Sequence, residues 1–98
     1  MGLTVRLQDE SCKPVSNEDI GVDLSLPTGD SSFRLLCYID PYGDTIFNRL
    51  QMQSFLSEWE AIKKEAIAER DKQAWLKVKI LAERCRDEVH LYLRFMGD

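Results

Sequence analysis

"EWEAIKKEAIAERDKQAWLK", residues 58–77, decides the fold. No glycine or proline lies between residues 44 and 96, so the helical pattern around this stretch has no obvious stop. One unbroken helix over residues 53–88 would span about 54 Å, long for a domain this small. Phe55, Trp59, Ile62 and Ala66 form one apolar stripe, flanked by Met52, Leu56 and Ile67. Trp75, Val78, Ala82 and Cys85 form a second, flanked by Leu76 and Leu81. At about 100° per residue the two stripes point roughly 160° apart. Extending the first stripe forward meets Glu69, Arg70, Gln73 and Lys77, all polar. Burying both stripes in one core therefore requires two helices. The pattern predicts the break in "ERDKQ", residues 69–73, with Asp71 as N-cap of the second helix. An αα-hairpin results, with Trp59 and Trp75 as core residues. A single straight helix would need a partner over one of its two apolar faces.

Elsewhere the period is that of strands. "LTVRL", residues 3–7, alternates with Leu3, Val5 and Leu7 on one side. "IGVDLSLP", residues 20–27, alternates again but contains Gly21 and ends in Pro27, which suits an edge strand or extended segment. "FRLLCYI", residues 33–39, reads as a better-buried strand, and "TIFN", residues 45–48, as a short one. "VHLYLRFM", residues 89–96, alternates strictly, with Val89, Leu91, Leu93 and Phe95 opposite His90, Tyr92, Arg94 and Met96. A closing strand usually docks inside a sheet, here beside an early strand, bringing both chain ends together. The expected fold is α+β: a small, mostly antiparallel sheet of three to five strands against a two-helix hairpin, with residues 1–98 as one domain.

Directly after the third of these segments, and containing the fourth, lies "DPYGDTIFNRLQ", residues 40–51. Asp40, Pro41, Tyr42 and Gly43 fill the preferred slots of a type I turn, which predicts a hairpin joining residues 33–39 to 45–48. Asn48 followed by Gln51 makes a capping-box pattern that starts a helix at Arg49; a start at Ser54, with Glu58 in the first turn, is the alternative. This turn and the ending "HLYLRFMGD" resemble a set of small, uncharacterised bacterial proteins that share both. The resemblance covers most of residues 33–98, brings no activity with it, and implies a bacterial, soluble, single-domain product.

Composition narrows the chemistry. Apolar residues at 44% and charged residues at 31% are ordinary globular values. No window has the roughly 20 apolar residues of a membrane span, and no export signal is apparent. The three cysteines, Cys12, Cys37 and Cys85, are dispersed, without the spacing of a zinc clip or disulfide framework, and suit a reducing cytoplasm. Residues 1–47 carry three basic and eight acidic side chains, and the whole chain has a net charge of −4. Nucleic-acid binding is therefore not expected, whereas a basic protein partner is. One histidine, His90, leaves little for metal or acid–base chemistry, although Cys85 or Cys37 could meet it in space as a nucleophilic pair. No phosphate-binding, dinucleotide-binding or hydrolase motif occurs, and no cofactor or metal is expected.

Two functional expectations follow. The first is a non-enzymatic protein-interaction module, immunity-like or self-associating, that uses its acidic half or a sheet edge. The second is a small-molecule binder or minor enzyme with a polar site around the 40–49 turn. Asp40, Tyr42, Asp44, Asn48 and Arg49 would line that site, with His90 or Arg94 from the closing strand.

Overall fold

The computed structural model describes residues 2–16 and 18–97; Met1, Asn17 in the polar loop and Asp98 at the end of the closing motif lie outside the described residues. Four strands, β1 (Leu3–Asp9), β2 (Ile20–Val22), β3 (Asp44–Asn48) and β4 (Leu91–Met96), form one antiparallel sheet in the order β2-β1-β4-β3. Two helices, α1 (Met52–Ala61) and α2 (Glu69–Asp87), cover one face. The expected α+β architecture is thus present. The chain's first and last strands are the inner pair, in register from Thr4 opposite Met96 to Asp9 opposite Leu91.

Alternation sorts the sheet residues. Val5, Leu7, Phe47, Leu91, Leu93 and Phe95 are buried towards the helices. Phe47, Phe55, Trp59 and Phe95 form the aromatic centre, with ring centroids 5.5–6.3 Å apart. No described helix is long and apolar enough to cross a membrane.

The helical hairpin forms, but its break lies upstream of the expected place. α1 ends at Ala61, a 3-10 turn follows at Lys63–Glu65, Ala66 leaves the helical region (ψ 85°) and Ala68 takes extended backbone (ψ 149°) before α2 begins. Asp71 is not the N-cap; Ala68 holds that position, and its carbonyl accepts from the amides of Asp71 and Lys72 at 3.0 Å each. Asp71 instead sits with Glu69 in the first turn, where acids suit the helix dipole. The tryptophans explain the shift. The Trp75 indole donates to the Trp59 carbonyl (2.9 Å) and the Trp59 indole donates to the Trp75 carbonyl (3.0 Å). Trp59 is in the last turn of α1, so the Trp75 indole satisfies a carbonyl that the helix end leaves without a full complement of donors. Ile62 and Ala66, the last members of the first stripe, are buried by the connection rather than by a helix.

Residues 33–39 are not a strand, and no hairpin joins them to β3. Leu36 and Ile39 are the buried residues there, three apart, and Leu36–Tyr38 is a 3-10 turn with that period. Both Glu58 carboxylate oxygens accept from the Leu35 amide at 3.1 Å, and Oε1 also accepts from Leu36 at 3.0 Å. A carboxylate from α1 thus supplies the partners that a neighbouring strand would have supplied. β3 pairs with β4 instead.

Candidate functional site

The expected turn over Asp40–Gly43 is present without its hairpin. The Gly43 amide donates to the Asp40 carbonyl (3.4 Å), and Asp40 Oδ1 accepts from the Tyr42 amide (2.9 Å). Thr45 Oγ1 accepts from the Asp40 amide (3.0 Å), tying the turn to β3. The end of the chain closes over the same turn, because the Gly97 amide donates to the Gly43 carbonyl (2.7 Å). The two quoted motifs, distant in sequence, are therefore in direct contact. The capping box forms as well: Asn48 Oδ1 accepts from the Gln51 amide (3.2 Å) and Gln51 Oε1 from the Asn48 amide (2.9 Å). A 3-10 turn at Arg49–Gln51 then leads directly into α1.

The seven candidate residues fall into two groups at opposite ends of the β3–β4 ribbon. At one end are Asp40, Tyr42 and Asp44, joined by the side chain of Arg94, whose backbone lies opposite Ile46 at the middle of the ribbon. Asp44 ion-pairs with Arg94, whose Nη1 also donates to Gln8 Oε1 (3.4 Å). Arg94 Nε is buried and has no acceptor among the described residues. At the other end, Asn48, Arg49 and His90 line a shallow groove with Leu50, Val89 and Tyr92. Asp44 and Asn48 are four residues apart on one strand, roughly 13 Å, so one small ligand does not touch both groups.

His90 is not on the closing strand. It sits in the turn between α2 and β4 with φ 63°, a left-handed conformation that His adopts more readily than most residues. Its Nδ1 is 3.4 Å from a Glu10 carboxylate oxygen. Cys85 is fully buried and its thiol donates to the Leu91 carbonyl (3.4 Å). Burial pushes that thiol up to about 11, so it stays protonated at neutral pH and is a poor nucleophile. Among the described residues no cluster of His, Cys, Asp and Glu is placed to hold a metal ion.

The less expected feature is the outer edge of β3. In an antiparallel ladder, successive residues direct both backbone groups alternately to one side and the other. The Gly43 carbonyl faces Gly97, and the Asn48 amide is taken by Gln51 rather than by β4. The phase follows: residues 43, 45 and 47 bond towards β4, while the amides and carbonyls of Asp44 and Ile46 point off the sheet. Large exposed apolar residues lie on β3 or close to its ends. Tyr38 and Tyr42 lie by its first residues, Ile46 in its middle, and Leu50 (81% exposed) with Val89 at its far end. Their sequence signal was faint. Ile46 occupies the face of "TIFN" opposite Phe47, and Leu50 falls off the apolar stripe of α1. Comparison with protein-family models, with curated proteins and with solved structures finds no match to this chain.

Proposed function

We propose that the protein is a non-enzymatic interaction module whose docking element is the outer edge of β3. The observation that carries this reading is the coincidence of outward backbone groups at Asp44 and Ile46, without partners among the described residues, with exposed apolar residues on and beside the strand. Strand addition draws affinity from such main-chain groups and specificity from the side chains that flank them. The opposite edge, β2, is only three residues long and is bordered by the ion pairs Arg6–Asp19, Lys77–Glu18 and Arg70–Asp23. Short, charged edges resist pairing, which leaves β3 as the docking edge. We place the protein in a reducing cytoplasm, in keeping with its free cysteines.

The test is comparative capture from a cell lysate with wild type and Ile46→Lys, which puts a charge in the centre of the edge. A protein, a second copy of the chain included, that is retained by wild type and lost with Ile46→Lys is the expected result. Capture that is indifferent to the substitution overturns the assignment of β3. A second reading, a small anionic ligand in the groove of Arg49, His90 and Tyr92, is favoured by Arg49, which has no ion-pair partner among the described residues. A ligand-induced rise in Tm that survives Arg49→Ala overturns it.

A further inference from the structure

We infer that the strand received by β3 is β3 of a second copy, paired antiparallel about a two-fold axis near Ile46; this rests on the reading of β3 as the docking edge. Charge supplies the argument for that occupant. The beginning of the edge is acidic: among the described residues Asp40 has no cationic partner, and Asp44 has one, Arg94. The end of the edge is basic, because Arg49 follows the strand directly and is unpaired among the described residues. A two-fold axis reverses one strand over the other. It carries Arg49 of one copy over the Asp40–Asp44 end of the second copy, and does so twice. A parallel alignment would instead set acid on acid and Arg49 on Arg49.

The apolar residues obey the same symmetry. Ile46, near the axis, meets its own copy, while Leu50 is brought towards Tyr42 of the second copy and Tyr42 towards Leu50. The Ile46 amide and carbonyl, both directed outward, form a reciprocal pair of bonds across the axis. Two four-stranded sheets then become one continuous sheet of eight strands. Such an isologous contact closes on itself, so both β3 edges are consumed and the short β2 edges remain at the rims.

The test starts with sedimentation of the whole protein over a dilution series, where the apparent mass is expected to double towards high concentration. Ile46→Pro removes the outward amide at a position where an edge strand tolerates proline, so the fold is retained and the mass stays monomeric. Arg49→Glu and Asp40→Lys each place like charges together at both contacts and are each expected to be monomeric. Mixed in equal amounts they restore opposite charges at both contacts, and dimers return. In a Cys12→Ser, Cys37→Ser background, Ile46→Cys should form an intermolecular disulfide with oxidised glutathione. Ile80→Cys on α2, equally exposed at 49%, should not. A wild type that stays monomeric at every concentration overturns the self-pairing, as does cross-linking that is equal at both positions. If that monomer still captures another protein in an Ile46-dependent manner, only the choice of occupant fails; if it captures none, the docking reading fails with it.

Discussion

Replacing Gly97 by alanine probes the junction between the chain's end and the Asp40–Gly43 turn. A Cβ built at Gly97 would lie 2.5 Å from the Pro41 carbonyl oxygen, 2.6 Å from the Pro41 carbonyl carbon and 2.7 Å from the Gly43 nitrogen. All three are backbone atoms and cannot rotate aside. Reaching an ordinary separation of about 3.5 Å requires a relative shift of about 1 Å. Two responses are open. The turn can retreat, at the roughly 1–3 kcal/mol typical of overpacking. Alternatively Gly97 can lift away and give up its 2.7 Å hydrogen bond to Gly43, a net loss of about 0.5–1.5 kcal/mol. The cheaper route prevails, so Gly97→Ala should cost about 1 kcal/mol, or about 4–8 °C in Tm. Urea unfolding followed by tryptophan fluorescence measures it. Gly21→Ala is the control, since a Cβ there has nothing within 4 Å and φ is not positive. That variant should be neutral or gain up to about 1 kcal/mol. Equal losses at both glycines, or no loss at Gly97, would refute the docked terminus.

Other consequences are as direct. Trp75→Phe removes the donor to the Trp59 carbonyl, which keeps the Ile62 amide at 3.3 Å, so the cost is one net hydrogen bond plus lost ring contacts, about 2–3 kcal/mol. A chemical-denaturation ΔΔG below about 1 kcal/mol would show that the reciprocal bond is not made. Asp19, hydrogen-bonded by the Arg6 side chain, has its carboxyl held below the ordinary carboxylate range. Its folded pKa is the lower one, so the stabilisation is full above the unfolded value of about 3.9 and fades as pH falls through the folded value. Asp19→Asn should flatten that part of the acid-unfolding curve, and an unchanged curve contradicts the tie. In thiol labelling of the native protein, Cys12 should react quickly and Cys85 only on unfolding; early modification of Cys85 would contradict its burial.

Where a residue's partners are close in sequence, or its period reports one buried face, the sequence reading held. Val5 and Leu7 in β1, Leu91, Leu93 and Phe95 in β4, and the central residues of the two helical stripes lie buried as their spacing predicts, whereas Ile67, Leu76 and Val89 at the margins are exposed. The capping box at Asn48 and Gln51 is wholly local and formed as read. The reading of residues 33–39 failed for the opposite reason. What fixes them is Glu58, more than twenty residues away, and nothing in the local pattern announces that its carboxylate will hold the amides of Leu35 and Leu36. The helix break lies upstream of Asp71, a favourable capping residue, because the crossed tryptophan bonds draw Trp59 and Trp75 together, and no local pattern signals them. Alternation continues through His90, yet its backbone turns left-handed one residue before the ladder begins. Of the candidate site, the turn and the cap were legible. The division of the seven residues between two ends of a ribbon was not, since it depends on β3 running along β4 rather than folding back on residues 33–39.

The two sheet edges show why that pairing bears on function. β2 is blunted by its length of three residues and by acids at both ends that hold Arg6, Lys77 and Arg70. β3 has none of these devices: it is five residues long, contains no lysine, proline or glycine, and carries Ile46 at its centre. Asp44, its one charged residue, is ion-paired with Arg94 on the neighbouring strand, which leaves Asp40 as the unmatched acid at that end among the described residues. A strand of that kind left open in a folded protein is a hazard, because any extended segment can add to it. Its retention is accounted for if a cognate strand occupies it, and the opposite charges at its two ends match the strand to its own reversed copy. If Arg49→Glu left assembly unaffected, backbone pairing alone would be choosing the partner, and the polarity of the edge would have no part in it.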